Sequence, residues 1–125
     1  MVDGIPFVKR VTCAIDCGIV VNPLGAINQV KGGIIDGIGA AMYGELIFKD
    51  GKPQSDNFNN YRMIRMKETP EIEVYFVQNN IAPTGLGEPA LPPVGAAVNN
   101  AIYAATGKRL TKIPFISYFD ENVTA

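Results

Sequence analysis

One carboxylate, Glu88, lies in the segment of the chain that is best suited to hold a reacting group. The segment is Pro83–Pro93, in which two glycines precede the glutamate and three prolines follow it. Glycine lets a backbone approach a ligand closely, and proline restricts the backbone on the other side. General acid–base catalysis requires such rigidity, because a small misplacement of the group slows the reaction. Glu88 is therefore the candidate catalytic residue, although a surface glutamate in a rigid turn has the same pattern.

The other residue types that commonly bind metals or form nucleophiles are scarce. The chain contains no histidine, which excludes a serine–histidine triad or a histidine metal site within it. Its two cysteines, Cys13 and Cys17, have a C-x-x-x-C spacing that matches neither a redox pair nor a zinc half-site. A continuous strand would hold them about 13 Å apart, too far for a disulfide. We therefore expect two buried free thiols.

Composition and charge limit the partners of the chain. It is 47% apolar and 18% charged, with a net charge of -1, so neither nucleic acid nor an anionic membrane is expected to bind it. The apolar run around Gly33-x-x-x-Gly37 is interrupted by Asp36. That run is also shorter than the roughly 20 residues needed to cross a bilayer, so we expect no membrane span in this chain.

Four segments are predicted as β-strands. Their bounds are Val8–Cys17, Glu45–Lys49, Glu71–Val77 and, at the edge of the sheet, Ile113–Phe115. The first and third alternate between apolar and polar residues, as half-buried strands do. The second ends in the turn-forming pair Asp50-Gly51.

Two helices are predicted, over Leu24–Tyr43 and between Pro93 and Gly107. Four glycines lie in the middle of the first helix, and together they cost roughly 2–4 kcal/mol relative to alanine. They are Gly32, Gly33, Gly37 and Gly39. Tertiary structure must offset that cost, so we expect a sheet, another helix or a ligand very close to the helix backbone. The predicted architecture is α+β, a small mixed β-sheet with two helices packed on it.

Several motifs occur in one order between Val11 and Phe115. They are Asp16-Cys-Gly-x-x-Val-Asn-Pro, Gln29-Val-Lys-Gly-Gly, Gly37-x-Gly-Ala-Ala-Met-Tyr-Gly-Glu, Asn57-Phe-x-x-Tyr, Pro70-Glu-Ile-Glu-Val, Gly85-x-Gly-Glu-Pro-x-x-Pro-Pro, Ala97-Val-Asn-Asn-Ala-Ile and Ala105-Thr-Gly-Lys-Arg. In this order they resemble the xanthine dehydrogenase and aldehyde oxidase family. The stretch Arg65-Met-Lys-Glu-Thr-Pro-Glu is most similar to large subunits of the isoquinoline 1-oxidoreductase type.

The resemblance implies that residues 1–125 are a single partial domain, the C-terminal part of a molybdenum-cofactor-binding large subunit. The opening residues Met1–Pro6 look like the end of a turn rather than a natural start, which agrees with that expectation. The implied partners are the remainder of the large subunit, an iron–sulfur subunit and a small aldehyde or N-heterocyclic substrate. The 2Fe–2S clusters are expected on another domain or subunit, because two cysteines cannot hold even one.

The resemblance also implies roles for particular residues. Glu88 maps onto the family's general base beside the molybdenum, and Gln29 maps onto a glutamine that hydrogen-bonds the pterin. Gly32 and Gly33 would let the backbone approach the cofactor, and Gly87 is expected near the metal. The other helix glycines are expected to pack on a neighbouring half of the subunit. The metal is held by a molybdenum–pyranopterin (molybdopterin) cofactor, so no protein side chain is predicted as a metal ligand.

The activity implied is hydroxylation of an aldehyde or N-heterocycle with oxygen taken from water. Leu86, Ala90 and Leu91 are expected to give Glu88 water-poor surroundings. Asp36 departs from the family pattern, which has an aromatic, amide or histidine side chain there. The chain alone is expected to be inactive. The alternative is a stand-alone module of the same fold that binds a protein or a small ligand without redox chemistry.

Overall fold

The computed structural model describes residues 1–120. Its elements in chain order are β1 (Arg10–Ile15), α1 (Pro23–Tyr43), β2 (Phe48–Lys49), β3 (Lys52–Pro53), β4 (Glu71–Phe76) and α2 (Val94–Thr106). Two 3-10 helices lie at Met66–Glu68 and Phe115–Tyr118. The α+β prediction is therefore confirmed. No helix within the described part of the chain is long and apolar enough to cross a membrane.

The strands form two separate pairs. β1 and β4 are parallel, in a register that runs from Arg10 opposite Glu71 to Ile15 opposite Phe76. Parallel neighbours need a long crossover, and α1 supplies it. The short strands β2 and β3 form an exposed antiparallel hairpin around Asp50. The parallel pair thus carries the core, and the antiparallel pair lies outside it as a separate sheet.

α1 begins where the sequence signals predict. The Asn22 side chain accepts a hydrogen bond from the Gly25 N–H at 3.0 Å, and Pro23 occupies the first helical position. The buried face of the helix consists of Val30, Ile34, Gly37, Ile38, Ala41 and Met42. This stripe makes α1 the central element of the core, because β4, α2 and the last 3-10 helix all contact it.

α2 packs across α1 through Val94, Val98 and Ile102. It ends at Gly107, whose φ of 74° is the left-handed conformation that glycine tolerates best at this position. Between them, the facing stripes of the two helices enclose the core together with Ile72 of β4. The loop that leads into α2 is therefore held against α1 by the same packing that joins the helices.

The segment between β3 and β4 is fixed to the end of α1 by charged side chains. The Arg62 guanidinium lies 4.1 Å from the centre of the Tyr43 ring and pairs with Glu68. Burial raises the pKa of Glu68, but hydrogen bonds from the Arg65 backbone and from Arg62 outweigh burial and hold that pKa below its ordinary value. For Tyr43, burial and then the nearby Glu68 charge raise the pKa.

Three predicted elements differ from the structure. The predicted strand Ile113–Phe115 is wrong, because Phe115 and Ile116 turn into the core as a 3-10 helix against α1. The strand predicted from Glu45 is only Phe48–Lys49. β1 ends at Ile15, so Cys17 lies beyond it rather than on its face. Both cysteines are free, as predicted. Cys17 is buried, while Cys13 is half-buried and burial raises the pKa of its thiol.

Candidate functional site

The loop that carries Glu88 is fixed at its start to the turn after β1. The Ile19 N–H donates to the Ile81 carbonyl at 3.0 Å, and the Thr84 N–H donates to the Cys17 carbonyl at 3.1 Å. Gly18, at φ +71°, lies between them, and a Cβ there would come within 2.7 Å of the Ile81 carbonyl oxygen. Only glycine fits where the loop backbone passes over the turn, so the contact between loop and turn depends on Gly18.

Side chains reinforce the same crossing. The Asp16 carboxylate accepts the Gly18 N–H at 3.2 Å and the Asn79 side-chain amide at 2.7 Å. The Asn79 side-chain oxygen in turn accepts the Ile81 N–H at 3.0 Å. Sequence reasoning missed Asp16 and Asn79 as functional residues. The available signal was that an aspartate followed two residues later by glycine can form a turn through its own side chain.

A second anchor holds the loop next to Glu88 itself. The Gln29 side-chain amide of α1 donates to the Gly87 carbonyl at 2.5 Å, across 58 residues of sequence. The two candidate positions that were predicted from separate motifs are therefore in direct contact. This hydrogen bond places the Glu88 backbone beside the helix position of Gln29.

The glycine stripe of α1 packs against the same loop. A Cβ at Gly33 would lie 3.4 Å from the Ala90 Cβ, and one at Gly37 would lie 2.8 Å from the Val94 Cβ. The helix glycines other than Gly32 and Gly33 were expected to pack on another half of the subunit, and this is wrong for Gly37, because its close neighbours belong to this chain. Gly39 likewise packs within this chain, because a Cβ there would lie 3.1 Å from the Ile64 side chain.

Gly32 and Gly87 differ from that stripe. Both are exposed, and a Cβ at either would meet nothing within 4 Å. Their backbones therefore leave open surface on the side of α1 where Gln29 is also exposed. A flat ligand could approach this surface closely, which a side chain at either position would hinder.

Glu88 is exposed within this chain. Its carbonyl accepts the Leu91 N–H at 2.9 Å, which closes a turn directly after the glutamate. Leu86 is half-buried and Ala90 is buried, but both pack into the core of this chain. The expected water-poor surroundings of Glu88 are therefore not formed by the described residues, because the apolar neighbours face away from solvent and the carboxylate faces it.

The exposed face thus combines a carboxylate, a side-chain amide and open glycine backbone. A carboxylate can accept a proton, and an amide has both donors and an acceptor for a polar heterocycle. Among residues 1–120, no group of three or more histidine, cysteine, aspartate or glutamate side chains is arranged to hold a metal ion.

The chain matches one family model and several curated relatives. The family model of the molybdopterin cofactor-binding domain matches residues 3–70. The chain is 38% identical over 107 residues to isoquinoline 1-oxidoreductase subunit beta of Brevundimonas diminuta, covering 86% of this chain and 14% of that protein. It is 35% identical over 111 residues to a membrane-bound aldehyde dehydrogenase (pyrroloquinoline-quinone) of Gluconacetobacter polyoxogenes, covering 89% of this chain and 14% of that protein.

A solved structure gives the same fold. The aldehyde oxidoreductase of Desulfovibrio desulfuricans ATCC 27774 superposes with a TM-score of 0.79 at 25% identity, over 94% of this chain and 14% of that one. The chain thus spans about one seventh of the length of the proteins that it matches. It belongs to the molybdopterin cofactor-binding domain family of the xanthine dehydrogenase and aldehyde oxidase type.

Proposed function

We propose that this chain supplies the general base and part of the cofactor wall of a molybdenum hydroxylase. The observation that carries the proposal is the hydrogen bond from the Gln29 amide to the Gly87 carbonyl. This bond connects Gln29, the candidate cofactor-binding residue on α1, with Gly87, the residue before the candidate base. Two motifs distant in sequence thereby face one ligand.

Glu88 is the base in this proposal. Its exposed carboxylate accepts the proton of a water-derived oxygen nucleophile as that oxygen attacks the substrate carbon. The molybdenum–pyranopterin group, when bound, supplies the redox centre that takes two electrons from the substrate. The two anchors of the loop keep the carboxylate in one place, which a base needs before proton transfer.

Gln29, Gly32 and Gly87 form the cofactor wall. The Nε2 group of Gln29 is engaged with the loop, while the side chain has a carbonyl oxygen and a second N–H to offer the pterin. Gly32 and Gly87 provide open backbone beside it. Gly33 supports this wall indirectly, because it lets Ala90 and the rest of the loop lie close to α1.

The rest of the enzyme lies in other polypeptide. Because the matched relatives are about seven times longer, we propose that the remainder of the large subunit covers Glu88 and excludes water there. An iron–sulfur subunit would carry electrons away through 2Fe–2S clusters. The names of the relatives, an isoquinoline oxidoreductase and two aldehyde-oxidising enzymes, favour a small aldehyde or N-heterocycle as substrate. The chain alone would be inactive.

The test is Glu88→Gln in the complete enzyme. Removal of a general base should lower kcat by about 10²–10⁴-fold, while molybdenum content stays at the wild-type level. Glu71→Gln is the matched control, because Glu71 of β4 is also an exposed glutamate, and its carboxylate forms an ion pair with Arg10 away from the loop.

Two results would contradict the proposal. Wild-type turnover in Glu88→Gln would remove Glu88 from the role of base. Since one relative is named for pyrroloquinoline quinone, the purified protein should also be assayed for that cofactor. Quinone without molybdenum or pterin would exclude the proposed chemistry.

A further inference from the structure

Asp16 and Asn79 form a side-chain contact at the point where the chain leaves the parallel strand pair. Asp16 directly follows β1, and Asn79 lies three residues after the end of β4. The Asn79 side-chain amide donates to the Asp16 carboxylate at 2.7 Å, across 63 residues of sequence. This is the short distance expected when the acceptor is charged. The two residues are called the clasp below.

Each member of the clasp also binds the backbone of its own segment. The Asp16 carboxylate accepts the Gly18 N–H at 3.2 Å, and the Asn79 side-chain oxygen accepts the Ile81 N–H at 3.0 Å. Position 79 therefore needs both a donor and an acceptor, whereas position 16 needs an acceptor alone. The clasp thus fixes the turn after β1 and the start of the Glu88 loop to each other.

The backbone between the clasp and Glu88 has little freedom to absorb a displacement. The Thr84 N–H donates to the Cys17 carbonyl at 3.1 Å, and the Gly87 carbonyl accepts from Gln29 of α1. Only two residues lie between Thr84 and Gly87. A shift of the loop start is therefore transmitted to the residue before Glu88.

We propose that Asp16 and Asn79 are positioning residues of the reaction, which act through the loop to set the place of the Glu88 carboxylate. The proposal rests on the proposed function, in which Glu88 is the base. A reacting group displaced by about 1 Å can lose roughly 10²-fold in rate, so the clasp acts on kcat. Gln29 differs from the clasp, because in the proposed function it also forms part of the cofactor wall.

An exchange of the two residue types tests the clasp. Asn79→Asp alone puts two carboxylates in contact and breaks the clasp, because like charges repel. The double variant Asp16→Asn/Asn79→Asp rebuilds every bond with the roles reversed. The amide then belongs to position 16 and the carboxylate to position 79, and each side chain keeps an oxygen for the N–H of Gly18 or Ile81.

Turnover of the complete enzyme should fall and then recover in this series. Asn79→Asp should lower kcat by at least about 10-fold, with KM changed by less than about twofold and molybdenum content at the wild-type level. The double variant should restore kcat to within about threefold of wild type, because the two positions act as one unit.

Asn60→Asp is the matched control. The Asn60 side-chain amide donates to the Asp56 carboxylate at 3.0 Å, and its oxygen accepts the Asn57 N–H at 3.1 Å. The same pattern of bonds thus occurs outside the Glu88 loop. Asn60→Asp should leave kcat unchanged, since it disturbs an equivalent contact that does not hold the base.

Hydrogen exchange follows the loop without turnover. The Thr84 amide bonds to Cys17 and not to the clasp, so its protection reports the place of the loop. In Asn79→Asp it should exchange at least about 10-fold faster than in wild type, and in the double variant it should exchange as slowly as in wild type. An unchanged Thr84 exchange rate in a slow Asn79→Asp enzyme would overturn the proposal.

Wild-type kcat in Asn79→Asp would also overturn it, as would a loss of kcat that the double variant fails to restore. If Asn79→Asp does not fold, Asn79→Ala takes its place, because it removes the link without adding a charge. Wild-type kcat in Asn79→Ala would be equally decisive against the clasp. Glu88→Gln reports on the proposed function separately. Low turnover in Glu88→Gln with wild-type turnover in Asn79→Asp would reject the clasp and keep Glu88 as the base.

Discussion

Gln29 is the side chain on which the geometry of the site depends. Its amide donates directly to the Gly87 carbonyl, and this hydrogen bond holds the loop next to Glu88. A glutamine assigned to a cofactor in this way has two tasks, because one N–H holds the loop while its other polar atoms remain for the ligand. In the proposed function, the base and the cofactor wall are therefore coupled through Gln29.

Replacing Gln29 by leucine tests this coupling. The change removes a hydrogen bond whose net contribution is about 1 kcal/mol, so the free energy of unfolding should fall by about that amount. In the complete enzyme kcat should fall more than KM rises, since the loop would hold the base less well.

Gln54→Leu is the control for that experiment. Gln54 makes the same kind of bond, from its side-chain amide to the Lys52 carbonyl, in the hairpin. It should lose similar stability at most and no activity. Equal kcat values for Gln29→Leu and wild type would show that the loop does not need this bond.

Residue types indicated candidate site residues more readily than the residues that support them. A carboxylate among glycines and prolines marked Glu88, and a motif marked Gln29, because each is unusual in its local context. The contact between Asp16 and Asn79 was missed, because the two residues lie 63 positions apart in sequence. An aspartate before a turn also occurs in many settings that have no distant partner. Exposure of Glu88 was also missed, because apolar neighbours in sequence do not determine which side of a turn the carboxylate faces.

Among the elements, α1 shows why a helix can tolerate many glycines. Gly33 allows the loop to approach the helix, and Gly37 allows the start of α2 to do so. The burial of the neighbouring Ile34 and Ile38 offsets the helix propensity that the glycines lose. Gly32 has a different environment, with open space where a Cβ would be. One helix therefore contains packing glycines and a surface glycine a few residues apart.

Alanine substitutions distinguish the packing glycine Gly37 from the surface glycine Gly32 by their opposite effects on stability. Gly37→Ala places a methyl group 2.8 Å from the Val94 Cβ and should lower the free energy of unfolding by about 1–3 kcal/mol. Gly32→Ala should raise it by up to about 1 kcal/mol, because alanine is the better helix former. Chemical denaturation measures both.

The same Gly32→Ala variant also tests the cofactor wall. In the complete enzyme it should lower the molybdenum and pterin content while the protein becomes no less stable. Full cofactor content in that variant would show that no ligand approaches Gly32.

The Arg62–Glu68 pair at the end of α1 predicts a pH dependence. The folded pKa of Glu68 lies below its ordinary value of 4.5, so its ionised form is the one that the fold stabilises. This contribution is fully present above the unfolded pKa and is lost as the pH falls through the folded pKa. Glu68→Gln should therefore reduce the loss of stability on acidification below about pH 4.5, as measured by denaturation at several pH values. An identical pH profile in the variant would contradict it.

Helices and strands were predicted correctly where the pattern of apolar and polar residues extended over many positions. The periodicity of α1 and α2 and the alternation of β4 were sufficient to predict them. The short apolar run at Ile113–Phe115 was not, because three apolar residues pack into a core equally well as a strand or as a 3-10 turn. Tertiary contact with α1 decided between them.

Seen whole, the chain presents its site as an exposed surface. Glu88, Gln29 and Gly32 are exposed together. The relatives that the chain matches are about seven times its length, and in the proposed function their additional polypeptide covers Glu88. The motif order predicted a partial domain of such a subunit, but no single chain segment can specify which residues of the remainder complete it.

A structure of the complete subunit with its cofactor would test most directly whether Glu88 is the base beside the molybdenum. We expect the Glu88 carboxylate to lie beside the molybdenum, shielded from bulk water by the remaining polypeptide, with the Gln29 side chain contacting the pterin and the Gly87 carbonyl together. A structure in which Glu88 projects into bulk solvent, on the side of the chain away from the Gln29 amide and the cofactor, would contradict the proposed function.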